Sequence, residues 1–193
     1  KDVINFYATH TALDNAEFGV NYQIAKQLNL KNTKILIPQK DTLRHLVTYV
    51  PNENAEQVRN ALFAAGAGSI GDYDNCSFSL EGKGSFRAGQ NANPFVGKIG
   101  ETHFEAETRI SVIFNKHLQS QILNSLKENH PYEEVAYEIF SLENSNQTIG
   151  IGMVGELENE ISEDEFFNYL KEKMNTECNR HSKLLNKNIK KIA

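Results

Sequence analysis

Apolar positions along the chain recur with two spacings, one matching a strand and one matching a helix, and polar breaks separate them. Val3 to Ala8 is an apolar run that predicts a buried strand. A helix is predicted over about 17–29, with Val20, Ile24 and Leu28 as its apolar stripe. Asn29 and Leu30 end it, and 33–37 reads as a short strand halted by Pro38. The polar stretch Gln39-Lys40-Asp41 marks a first boundary.

Beyond that boundary one unit occurs twice. A strand over 46–50, a turn at Pro51 and Asn52, a helix over 53–65 with Ala55, Val58 and Leu62 inward, and a Gly-rich stop at 66–71 lead to a strand over 73–80. A strand over 109–114, a turn at Asn115, a helix over 116–128 with Leu118, Ile122 and Leu126 inward, and a stop at His130-Pro131 lead to a strand over 134–142. A constant offset of 64 pairs Val58 with Ile122, Leu62 with Leu126 and Tyr73 with Tyr137. Two β-α-β half-units in tandem predict a ferredoxin-like β-α-β-β-α-β sandwich. Between the halves, 81–87 reads as a hairpin or extended loop with Gly82-Lys83-Gly84-Ser85 at its tip, and 94–97 as a turn.

After a polar linker over 143–147, a strand is predicted over 149–157. The capping box Ser162-Glu163-Asp164-Glu165 then opens a helix to about Met174, with Phe166, Tyr169, Leu170 and Met174 on its buried face. Residues 189–193 look like a strand that stops as it starts. The expected organisation is an α/β body in two pieces, 1–40 and 147–193, interrupted by an α+β insert over 41–146. Lys1 is not an initiator methionine and both ends read as cut through ordered structure, so an interior portion of a longer protein is expected.

Composition narrows the function classes. Hydrophobic residues make up 39% of the 193, and 20 Lys+Arg stand against 25 Asp+Glu for a net charge of −5. That profile excludes disordered, collagen-like and membrane-spanning chains, since no run nears the roughly 20 apolar residues a bilayer crossing needs. Mild acidity argues against nucleic acid as a partner. Cys76 and Cys178 are too few for a disulfide scaffold and match no zinc spacing, which makes the cytoplasm the default setting.

Five stretches carry candidate chemistry. Gly66-Ala67-Gly68-Ser69-Ile70-Gly71 is a literal G-x-G-x-x-G, but it follows a helix and opens a strand, the reverse of dinucleotide binding, and reads as a helix stop and turn. Gly82-Lys83-Gly84-Ser85 fails as a phosphate loop for want of a following helix. Glu101, His103, Glu105 and Glu107 alternate, so an extended strand would project all four from one face, either as cation ligands or as a solvated surface. His130-Pro131-Tyr132-Glu133-Glu134 gathers an imidazole, a phenol and two carboxylates at a helix-to-strand joint, where Pro and His also serve as ordinary helix-ending residues. His10-Thr11-Ala12-Leu13-Asp14 sits after the predicted first strand and before a helix, where α/β folds present ligand groups. There Asp14 reads as a helix cap, as the partner of a His10 ion pair or as a metal ligand.

These residues carry a family resemblance. Ala8-Thr9-His10-Thr11-Ala12-Leu13-Asp14 with Gly19-Val20-Asn21 resembles the His-Thr-Asn-Leu-Asp … Gly-Val-Asn stretch of the dinuclear-metal-centre family known as GTP cyclohydrolase 1 type 2 homologues, the Nif-three-like proteins. Further matching stretches follow in order: Gly66-Ala67-Gly68-x-Ile70-Gly71-x-Tyr73-x-x-Cys76-Ser77-Phe78, Gly84-x-Phe86, Asn93-Pro94-Phe95-x-Gly97, His130-Pro131-Tyr132-Glu133-Glu134-x-Ala136-Tyr137 and Gly150-Ile151-Gly152-x-Val154-Gly155-Glu156-Leu157. The chain departs at Ala12, where the family usually has Asn.

The resemblance implies an α/β body holding two adjacent divalent metals (zinc, iron or manganese) and a PII/CutA-like insert. Asp14 inherits the role of a metal ligand, and His10 lines the same cleft as a candidate to orient substrate or shuttle a proton. The family's remaining ligands come from an upstream His-His pair and a downstream His-x-x-x-Glu, neither of which this sequence contains; Leu185 stands four positions after His181 where the acid would be. Metal-assisted hydrolysis is the implied activity. The alternative is a small-molecule-sensing or metal-sensing regulatory module without catalysis, and the resemblance also implies self-association as a trimer or hexamer.

Overall fold

The elements form where local spacing and capping chemistry place them, and their order along the chain is α1 (Thr11–Asp14), α2 (Val20–Gln27), β1 (Lys31–Pro38), β2 (Leu43–Pro51), α3 (Ala55–Ala64), β3 (Ser77–Arg87), β4 (Thr102–Asn115), α4 (Gln119–Asn129), β5 (Tyr137–Leu142), β6 (Gly150–Ser162), α5 (Glu163–Met174) and β7 (Asn188–Ile192). This computed structural model describes residues 5–146 and 148–193. Lys1, the Val3 and Ile4 start of the expected first strand, and Gln147 of the second linker lie outside the described residues. The chain is a mixed α/β fold with antiparallel sheets, divided into two compact units: Lys1–Gln39 with Ser145–Ala193, and Lys40–Asn144.

The first unit contains an antiparallel sheet of order β1-β6-β7. Its buried apolar residues are Ala25 and Leu28 at the end of α2, Ile35 of β1, and Val154 and Leu157 of β6. Of the expected helical stripe only Leu28 is buried; Val20, in the first turn, is exposed, and Ala25 takes the inward position. The phenol of Tyr169 on α5 donates to the Leu28 carbonyl at 2.9 Å, closing the end of α2. Ser162 and Glu165 form the expected reciprocal cap, each satisfying the other's backbone amide.

One expectation fails here. Residues 5–9 are not a strand: no described strand pairs with them, and Phe6 and Tyr7 are 94% and 91% exposed. An apolar run becomes a strand only where a neighbour takes up its backbone groups.

The second unit runs β2-α3-β3-β4-α4-β5 and folds into one antiparallel sheet of order β3-β4-β2-β5. Period-2 alternation sends Leu46, Val50, Ile110, Val112 and Phe114 to the face covered by α3 and α4. The repeat-related pairs Val58/Ile122 and Leu62/Leu126 are all fully buried in that core. The Ser125 hydroxyl donates to the Ala61 carbonyl at 3.0 Å, joining two positions that are themselves 64 apart. Buried Thr48 donates its hydroxyl to the Ala136 carbonyl at 3.0 Å, which removes the cost of an unpaired hydroxyl inside the core. At the unit's entrance Asp41 accepts from Arg44 at 2.8 Å and Lys116 at 2.6 Å, and these cations hold its carboxyl at a pKa of about 2.

The edges of the doubled unit differ from expectation in two respects: the strand expected over 73–80 begins only at Ser77, with Tyr73 closing a turn onto Ile70, and its far end runs on. β3 continues through Gly82-Lys83-Gly84-Ser85 to Arg87, paired with β4 along its whole length, so those residues are mid-strand and not a hairpin tip. The connector is 88–101 instead. Glycine pairs through its backbone as well as any residue does, and the partner strand here is long enough to hold it. The stop after α3 behaves as expected: Gly68, at φ 84°, bonds Ile113 and Cys76 through its backbone, and a Cβ there would meet the Cys76 carbonyl at 2.9 Å.

His130 ends α4 in extended conformation ahead of Pro131, and its buried ring is held by two backbone groups. The Tyr132 amide donates to Nδ1 at 3.1 Å, so Nδ1 carries no proton. The Tyr49 carbonyl lies 3.0 Å from Nε2, so Nε2 carries it. Both partners require the neutral ring, and burial pushes the pKa down.

This packing sets the expected cost of two truncations. Leu126→Ala should lower the unfolding free energy by about 2–5 kcal/mol and Ser162→Ala by about 1 kcal/mol, read from urea midpoints. An unfolded histidine binds protons below about pH 6.5 while folded His130 resists them, so stability is complete above that pH and falls as pH drops toward the depressed folded value. The urea midpoint should therefore decrease from pH 7.5 to 5.5, and His130→Gln, which keeps a donor for Tyr49, should flatten that decrease.

Candidate functional site

In the first unit, the motif carrying Asp14 folds into a locked turn. The Ala12 amide donates to Thr9 at 3.0 Å and the Asn15 amide to Thr11 at 3.2 Å, winding α1. The Asn21 side chain donates to the Asp14 carbonyl at 2.8 Å, while the Gly150 amide at the start of β6 donates to Asn15 at 3.2 Å. Gly19 makes this possible, because a Cβ at that position would lie 1.8 Å from the Leu13 carbonyl. Gly19 and Asn21 thus fix the backbone from which Asp14 projects.

Asp14 itself is half-buried, and among the described residues no hydrogen bond or ion pair reaches its carboxylate. It closes α1 and caps neither helix, since α2 is entered through Gly19. His10 is exposed at φ 46°, immediately before α1, and forms no ion pair with Asp14 among the described residues. No three His, Cys, Asp or Glu side chains among the described residues converge as a metal site. The residues present here therefore do not make up a two-cation shell by themselves; Asp14 fits as one free carboxylate contributor.

The second unit offers a different arrangement. Of the alternating acids and histidine, Glu101 precedes β4, while His103, Glu105 and Glu107 share one strand face as anticipated. They are already engaged: His103 Nε2 pairs with Glu105 at 2.8 Å, and Glu107 Oε1 accepts from the Tyr132 phenol at 2.9 Å. The cation reading is not supported by this geometry.

Glu107 and Tyr132 border a cavity of about 650 Å³ on the helix-free face of the sheet, within the second unit. β3 supplies one wall, Glu107 and Arg109 of β4 and Tyr49 of β2 the floor, and the Pro94-Phe95 and Tyr132–Glu134 stretches the rim. Phe86 and Phe95 flank Tyr132 at ring distances of 6.0 and 6.2 Å. The Asn93 amide donates to Glu133 at 2.7 Å, fastening the 88–101 connector to the Tyr132 segment. Burial and the adjacent Glu107 carboxylate push the Tyr132 phenol far above its ordinary pKa, so it stays a donor. Sequence reasoning singled out neither Arg109 nor Tyr49, nor the way β3 walls this cavity. The available signal was the alternation Leu80-x-Gly82-x-Gly84-x-Phe86, two small positions between two large ones on one strand face.

Known proteins share both the sequence pattern and the fold. The family described as Duf34/NIF3 (NGG1p interacting factor 3) matches residues 1–193. A Bacillus subtilis (strain 168) protein named GTP cyclohydrolase 1 type 2 homolog is 42% identical over 194 residues, which cover 100% of this chain and 52% of that protein. A Mycobacterium tuberculosis protein of the same name is 38% identical over 155 residues, covering 79% of this chain and 41% of that one. The crystal structure of a Bacillus cereus protein related to NIF3 superposes with a TM-score of 0.83 at 36% identity, covering 96% of this chain and 49% of that chain. The chain spans about half the length of the curated relatives it matches. It is a member of the Duf34/NIF3 family.

Proposed function

We propose that this chain is the central part of a dinuclear divalent-metal-dependent hydrolase-like protein of the cytoplasm, in which the first unit contributes to the metal body and the second serves assembly or regulation. The observation that carries this reading is Asp14: a half-buried carboxylate with no bond of its own among the described residues, on a turn held by Gly19, Asn21 and Gly150. An unpaired carboxylate on a fixed backbone costs desolvation unless a cation compensates it. Two zinc, iron or manganese ions, when bound, would supply an activated water near neutral pH. Asp14 would serve as an anionic ligand, and exposed His10 would orient substrate or carry a proton.

The second unit fits a ferredoxin-like, PII/CutA-like domain. Its β-α-β-β-α-β order and its sheet order, in which the unit's strands run second-third-first-fourth, support that assignment. Phe78 and Phe140 are 64% and 49% exposed on the helix-free face, where a further copy of the chain in a trimer or hexamer would cover them. The second reading, a regulatory module without catalysis, is favoured by the cavity on that same face.

Metal analysis of the full-length protein tests the first reading. Two divalent ions per chain are expected, with Asp14→Ala losing at least one and Asp14→Glu retaining part; equal metal content in parent and Asp14→Ala would remove Asp14 from the site. Light scattering tests assembly: Phe140→Asp should lower the molar mass of the oligomer, and an unchanged mass would exclude this face from the interface.

A further inference from the structure

The register of the second unit's sheet decides which side chains enter the cavity. Gly82 lies opposite Glu107, and Leu80 and Tyr49 lie on either side of Arg109. Strand alternation puts Leu80, Gly82, Gly84 and Phe86 on the face of Glu107 and Arg109. The odd residues of β3 point the other way, as Lys83 demonstrates by resting over the Phe104 ring.

Gly82 and Gly84 therefore put no side chain of their own between Leu80 and Phe86. Nothing lies within 4 Å of where a Cβ on Gly82 would be, so the trough is open there. At Gly84 a Cβ would sit 2.0 Å from Oε2 of Glu107, so that glycine lets the carboxylate lie down across β3. Two opposite charges face this trough from one strand. Glu107 has Oε1 engaged by Tyr132 and no bond at Oε2, and the Arg109 guanidinium makes no hydrogen bond or ion pair among the described residues. They stand two residues apart, roughly 7 Å along the strand, and they do not pair with each other.

We infer that the trough is a binding site for a small zwitterion with an apolar body, an α-amino acid with an aromatic or aliphatic side chain, its ammonium on Glu107, its carboxylate on Arg109 and its body over Gly82 between Leu80 and Phe86. A cavity of about 650 Å³ that combines the apolar side chains of Leu80, Phe86 and Phe95 with charged groups has the size of a small-molecule site. Arg109 is half-buried without a partner among the described residues and Glu107 keeps one oxygen unbonded beside the Tyr132 phenol, so one ligand carrying both opposite charges compensates the two together. A purely anionic or purely cationic ligand would leave one of them unpaired. The site lies wholly in the second unit and does not depend on the metal reading of Asp14.

Calorimetric titration of the full-length protein with L-phenylalanine, L-tyrosine, L-leucine and L-methionine tests this, with phenethylamine and 3-phenylpropionate as partners lacking the carboxylate and the ammonium. At least one amino acid should bind with a Kd below about 1 mM, and removing either charged group should weaken binding by about tenfold or more. Gly82→Val, which adds side-chain bulk into open space, should abolish binding while leaving the thermal unfolding temperature of the protein near that of the parent. Arg109→Met should remove the preference for L-phenylalanine over phenethylamine, and Glu107→Gln the preference over 3-phenylpropionate. Absence of binding by all four amino acids at about 10-fold above that Kd limit would overturn the proposal, as would a Gly82→Val protein that is folded and binds like the parent.

Discussion

The second unit depends on the antiparallel register of β4 against its two neighbours. Because side chains alternate, that single strand supplies Ile110, Val112 and Phe114 to the core under α3 and α4, and Glu107 and Arg109 to the opposite face. A slip of one residue would exchange the two sets, putting charges under the helices and core residues in water. The packing of the core thereby fixes where the charged pair sits, and no separate device is needed to aim it. The pairing with β3 then decides that bare backbone, and not a side chain, lies opposite Glu107.

Much of this was legible in the chain because it is local. Helix stripes such as Val58/Leu62 and Ile122/Leu126, the stop at His130-Pro131 and the Ser162/Glu165 cap depend on neighbours within a turn or two. The offset of 64 made the doubled unit readable, since two weak patterns in step reinforce each other. What failed was non-local. Gly82 and Gly84 look like a turn until a 14-residue partner strand is present to pair with them. Phe6 and Tyr7 look like strand residues, but pairing depends on a neighbour that the local pattern does not encode.

The candidate residues show the same division. Asp14 was legible as a candidate carboxylate ahead of a helix, but the strand expected before it is absent among the described residues, and the roles of Gly19 and Asn21 in holding its backbone became clear only from a 1.8 Å close approach and a 2.8 Å hydrogen bond. His103, Glu105 and Glu107 were correctly placed on one face, yet spacing does not reveal that a histidine has already paired with one acid and a phenol with another. Arg109 was invisible as a site residue because its significance lies in having no partner among the described residues, and partners are a property of the folded chain.

The sheet order β3-β4-β2-β5 carries a last consequence. The first half-unit owns β2 and β3, the second owns β4 and β5, and in the sheet they alternate, so that neither half's strands touch one another. Each half is the mortar for the other, and neither possesses a sheet when alone. The two copies of the repeat are thus interlocked and not stacked: a cut in the 88–101 connector would leave two pieces still woven together, and any ancestral single copy of the pattern would have needed a twin to exist as a sheet at all.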